Sequence, residues 1–104
     1  DFIYINDVIE IMEKVIFSNQ KIYSIDVGSS NPMSTLDIIK EIYKIMSVKK
    51  QIQVSKIENQ EDISYMKADL SVAKNKFNWS PKTDLKEGLS NTIEWIKGNM
   101  NYYD

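Results

Sequence analysis

Any chemistry in this chain has to work without histidine, cysteine or arginine, because its 104 residues contain none of the three. That removes the side chain most often used as a general base, and with it imidazole and thiolate metal sites and disulfides. All 13 basic residues are lysines, so no guanidinium fork can grip a diphosphate. Carboxylates, amides and phenols remain. The densest polar run is Glu58, Asn59, Gln60, Glu61 and Asp62, followed shortly by Tyr65 and Met66. Glu58, Glu61 and Asp62 resemble a cation site only superficially. No second converging group is visible, so the run reads as a solvated acidic loop. The glycines are Gly28, Gly88 and Gly98 alone. None belongs to a clustered turn of the kind that brings backbone amides to a pyrophosphate.

The elements that would position these residues follow from periodicity and capping. Residues 2–5 are apolar and β-prone, which suggests a short strand. Asp7 with Glu10 makes a capping-box pattern before Val8, Ile11, Met12, Val15 and Ile16, spaced as one helical face. Residues 21–27, with Ile22, Tyr23, Ile25 and Val27, are too continuously apolar for a solvated edge and read as a buried strand. A loop at 28–32 precedes a second capping pair, Ser34 with Asp37, and a helical face of Leu36, Ile39, Ile42, Tyr43 and Met46. Residues 51–57 read as a strand, and 63–68 as extended. A short helix starting at Asp69 or Ser71 carries Leu70, Ala73 and Phe77 and stops before Pro81. Asp84 with Glu87 is a third cap, opening a last helix with Leu85, Leu89, Ile93 and Ile96. Trp79 and Trp95 read as packing anchors. Strands alternating with helices give an α/β class.

Bulk properties narrow the partners. A net charge of −2 offers no electrostatic reason to bind nucleic acid or an anionic membrane. No apolar run approaches the roughly 20 residues of a membrane span. A cytoplasmic location is expected, which the lack of cysteine allows.

Three segments resemble one family. Asp1-Phe2-Ile3-Tyr4-Ile5-Asn6-Asp7-Val8 is similar to the "R-D-F-I-Y-V-x-D-V" segment of extended short-chain dehydrogenases acting on nucleotide sugars, from its second residue onward. Residues 23–34 resemble that family's "Y-N-I-G-S-G-N-P-V-S" strand and loop. The third match is the longest: Asp62, Ala68, Asp69, Ser71, Ala73, Lys74, Trp79, Pro81, Leu85, Glu87, Gly88, Leu89, Thr92, Glu94 and Trp95 follow the family's spacing. The family contains 4-epimerases, 4,6-dehydratases and keto-sugar reductases.

The resemblance implies the C-terminal substrate-binding part of such an enzyme, with one or two strands belonging to a Rossmann sheet outside it. Residues 1–104 would be one domain fragment, with the N-terminal dinucleotide-binding domain absent. It implies NAD or NADP in the intact parent and none bound here. The family's catalytic Tyr-x-x-x-Lys pair is also missing, since Val8, Val27, Ser47 and Asp69 stand four residues after Tyr4, Tyr23, Tyr43 and Tyr65. No catalytic residue is therefore expected. Asp62 matches an aspartate that contacts the nucleotide's ribose or base, and Asn59 stands where the family has a clamp arginine. Tyr65 and Met66 complete the expected substrate-binding set. A nucleotide sugar bound weakly, the missing Rossmann domain, and possible self-association are the expected partners. The competing reading is a free-standing, non-catalytic α/β interaction module.

Overall fold

A computed structural model describes residues 1–54 and 65–102 of the chain. Four α-helices carry the fold, and the described residues contain no strand. They are α1 (Ile5–Ile16), α2 (Thr35–Ile45), α3 (Ser71–Phe77) and α4 (Leu85–Gly98), with a 3-10 turn at Met100–Tyr102. The α/β expectation is thereby corrected. Residues 2–4, 21–27, 51–54 and 65–68 are not helical, as expected, but none joins a ladder. At Ala68, in the run expected only to be extended, side chains stand where a partner strand would. The Ala68 N–H donates to the Asp1 carboxylate at 2.9 Å and its C=O accepts from the Ser30 hydroxyl at 3.0 Å. Side chains thus satisfy the two backbone groups that a neighbouring strand would otherwise take.

The helix ends show which capping patterns work. Ser34 accepts the Asp37 amide at 3.1 Å, and Asp84 accepts the Glu87 amide at 2.8 Å, so both are true N-caps. Asp7 is not one. α1 opens two residues earlier, from an extended Tyr4 with no side-chain cap. Asp7 lies inside the first turn and is spent elsewhere. At the other ends, Ser47 and Asn78 adopt left-handed backbone, φ 54° and 47°. This turns the chain so that Val48 donates back to the Tyr43 carbonyl at 2.8 Å and Trp79 to that of Ala73 at 3.2 Å.

α1 packs on α3, and α2 on α4. The main core joins Ile11 of α1 to Leu70, Ala73, Phe77 and Trp79, with Ile3, Val15, Ile22, Ile25 and Val27 against its edge. Trp79 is 2% exposed, as expected of an anchor, although its indole N–H meets no acceptor among the described residues. Trp95 is exposed instead. So are Met12 and Ile16, which the helical period had placed with Ile11 and Val15 on one face. Tyr23 is wholly exposed, so residues 21–27 are not a buried strand. The radius of gyration is 16.7 Å, against about 13 Å for a compact domain of this length. The molecule is open, with much apolar surface left uncovered.

Candidate functional site

Of the four residues expected to bind substrate, Asn59 and Asp62 lie outside the described residues, as do Glu58 and Glu61. Tyr65 and Met66 are described. They are consecutive on non-helical backbone, 69% and 57% exposed, with large apolar surface offered to solvent. That run ends at Ala68, which is fastened from two directions. The Asp1 carboxylate accepts from the amides of Ser29 at 2.7 Å, Ser30 at 3.1 Å and Ala68 at 2.9 Å, and from the Ser29 hydroxyl at 2.6 Å. Ser30, at φ 58°, returns its hydroxyl to the Ala68 carbonyl. One carboxylate therefore gathers the start of the chain, the 28–31 loop and the end of the 65–68 run. Sequence reasoning missed this. Asp1, Ser29 and Ala68 each fall within a recognised segment, but nothing in their spacing shows that they meet.

Beside this junction lies an open cavity of about 510 Å³, lined by Ser30, Lys67, Ala68, Asp69, Ser71 and Lys74. Lys67 and Lys74 are its positive charges. The Asp69 carboxyl is held below its ordinary value by the Ser71 amide, then by the Ser71 hydroxyl. A second cavity, of about 370 Å³, lies between α2, α4 and residues 2–4. Tyr4, Met33, Ile38, Leu85 and Leu89 make it mainly apolar, and it contains none of the expected site residues.

The glycines do not form a cradle for a dinucleotide. A Cβ at Gly28 would meet the Ala68 Cβ and Asp1 Oδ2, each at 2.6 Å, so its open space is already occupied, in part by a carboxylate that would repel pyrophosphate. Gly88 sits within α4 against the Tyr4 ring, and Gly98 at the end of the same helix. None lies at a helix N-terminus, where amides could converge on phosphate. No hydride step can be derived from the residues described.

The buried Asp7 carboxylate has a structural task. At 4% exposure it accepts the Lys82 and Thr83 amides at 3.2 and 3.1 Å, fixing the turn between Trp79 and α4. Glu10, one turn along α1, pairs with the Lys82 ammonium at 2.8 Å. The Asp7–Glu10 capping box is thus replaced by a long-range tie between the first and third recognised segments.

No family model matches the chain. Individual relatives do. UDP-glucuronate 4-epimerase 2 of Arabidopsis thaliana is 25% identical over 111 residues, covering 94% of this chain and 26% of the relative. The UDP-glucuronate 4-epimerase of Thermodesulfobacterium geofontis is 32% identical over 73 residues, 70% of this chain and 22% of the relative. The dTDP-D-glucose 4,6-dehydratase of Bos taurus is 28% identical over 107 residues, 96% of this chain and 30% of the relative. The chain belongs to the extended short-chain dehydrogenases of the NAD-dependent epimerase/dehydratase family. It spans about a quarter of the length of these relatives. Membership explains why the recognised motif residues recur here. Among the described residues no helix is long and apolar enough to cross a membrane, and no acidic group gathers as a metal site.

Proposed function

We propose that this chain is the substrate-side part of an NAD(P)-dependent enzyme that epimerises or dehydrates a sugar nucleotide, and that it is inactive alone. One observation carries the reading. Nearly the whole chain aligns with a fraction of relatives named for UDP-glucuronate 4-epimerisation or dTDP-glucose 4,6-dehydration. The chain's own contribution is to hold the nucleotide moiety, which needs hydrogen bonds and shape rather than a nucleophile. Asp62 accepts hydrogen bonds from ribose hydroxyls or a base N–H. Asn59 meets a phosphate oxygen without supplying charge, and Tyr65 and Met66 complete the contact. The hydride chemistry belongs to the cofactor and the part of the enzyme that binds it. The open shape and the exposed apolar face of α1 agree with such a second part packing here.

With no arginine fork, affinity for the isolated chain should be weak. A hydrogen bond to a charged group contributes about 1.5–3 kcal/mol, and association itself costs several, so the Kd should be millimolar. NMR titration with uridine diphosphate tests this. Shifts should concentrate from Asn59 to Met66 and be lost in Asp62→Ala but not in Glu58→Ala. Shifts confined to Lys49 and Lys50 would overturn the site. Turnover of a sugar nucleotide by the isolated chain with NAD or NADP would overturn its inactivity.

A further inference from the structure

We infer that Asp1 is a positioning residue for the ligand face: its carboxylate sets where the 65–68 run lies, and so where Tyr65 and Met66 are presented. The inference rests on the reading of 59–66 as the nucleotide-contacting run. Among the described residues, the hydrogen bonds that hold 65–68 are all made at Ala68, through Asp1 Oδ2 at 2.9 Å and the Ser30 hydroxyl at 3.0 Å. Asp1 also holds Ser29 and Ser30 in place, so both partners of Ala68 depend on it. Gly28 fits the same arrangement, because a methyl group there would strike Ala68 and the carboxylate together. A chain spans at most about 3.6 Å per residue, so Tyr65, three residues from Ala68, lies within about 11 Å of it. Downstream, Leu70 and Ala73 are anchored separately in the α1–α3 core. Ala68 also packs against the edge of that core, so loss of the clasp leaves it held by packing alone and lets residues 65–67 shift without unfolding the helices.

Asp1→Asn tests this with little change of shape. The amide keeps one acceptor oxygen but presents an NH₂ where Ser30 and Ala68 now donate, setting donor against donor. Amide hydrogen exchange should become about tenfold faster at Ser29, Ser30 and Ala68, with α1 and α3 unchanged. The Kd for uridine diphosphate should rise about fivefold, and the shifts at 65–68 should be lost. Ser34→Ala, which removes the α2 cap, serves as the control for mere destabilisation. It should lower the unfolding temperature and leave the Kd alone. Unchanged exchange in Asp1→Asn overturns the clasp. Faster exchange with an unchanged Kd, or a Kd raised equally by Ser34→Ala, overturns the positioning role. A wild-type chain that shows no shifts with uridine diphosphate overturns the functional reading and the positioning role with it, whereas the exchange result still decides whether Asp1 holds the run.

Discussion

Asp7 Oδ2 lies 3.1 Å from the Thr83 amide, across 76 residues of sequence. With Oδ1 taking the Lys82 amide, this buried carboxylate serves as a cap for a turn rather than for its own helix. Hydrogen bonds to a charged group contribute about 1.5–3 kcal/mol, and Asp7 accepts two of them. Asp7→Ala should therefore lower stability by about 3 kcal/mol in urea denaturation. Glu10→Gln removes only a partly exposed ion pair and should cost less than about 1 kcal/mol. Equal effects would mean that Asp7 acts merely through surface charge.

Gly28 and Gly98 should respond to alanine with opposite signs. At Gly28 the new Cβ would come 2.6 Å from the Ala68 Cβ and from Asp1 Oδ2, and Ala68 cannot swing aside as a flexible side chain would. Overpacking of this kind costs about 1–3 kcal/mol. At Gly98, the last residue of α4, nothing lies within 4 Å of the added methyl. Helix propensity then favours alanine by up to about 1 kcal/mol. Thermal unfolding of both variants checks the pair. A neutral Gly28→Ala would mean that the loop yields freely.

These contacts also show what the sequence discloses and what it cannot. Helix periods and the caps at Ser34 and Asp84 are local, so α2, α3 and α4 were legible within a few residues. The Asp7 cap was misread because a carboxylate in a helix's first turn looks the same whether it bonds its own backbone or that of Thr83. The strands were misread because apolar, β-prone composition marks extended backbone, whereas a ladder needs a neighbour that no local pattern reveals. Of the site, Tyr65 and Met66 were legible only through resemblance. Asp1 was not, since its role depends on a contact 67 residues away.

Acid should loosen the first turn of α2 and the entry to α3. The Asp37 carboxyl is held below its ordinary value of 3.8 by the Ser34 hydroxyl, then by Lys40. Asp69 is lowered by the Ser71 amide and hydroxyl. A carboxyl depressed in the folded state contributes stability that is fully present above its unfolded value and lost as pH falls through the folded one. Both contributions should therefore be intact at pH 5 and disappear below about pH 4. Opening of the Asp37 and Ser71 amides, read from their exchange relative to the intrinsic rate, should rise as the pH falls below about 4. Asp37→Asn should remove the change at α2 while leaving that at α3. A rise centred near neutral pH would contradict both assignments.

The outer face of α1 should govern self-association. Ile5, Ile9, Met12 and Ile16 recur at helical spacing, between 46% and 68% exposed, and Phe17 continues the stripe. A surface helix ordinarily turns such a stripe to a core, but here Ile11 and Val15 already meet α3 from another side. Contiguous apolar surface of this kind drives association when nothing covers it. The isolated chain should form dimers or larger species at high concentration by analytical ultracentrifugation. Ile9→Lys with Met12→Lys should return it to a monomer, with little change in unfolding temperature because neither side chain is buried. If a dinucleotide-binding part covers this face, as proposed, the same double variant should weaken its association with that part when the two are supplied as separate chains. A wild-type chain that remains monomeric, together with a double variant that pairs unimpaired with the dinucleotide-binding part, would show that the stripe is ordinary solvated surface.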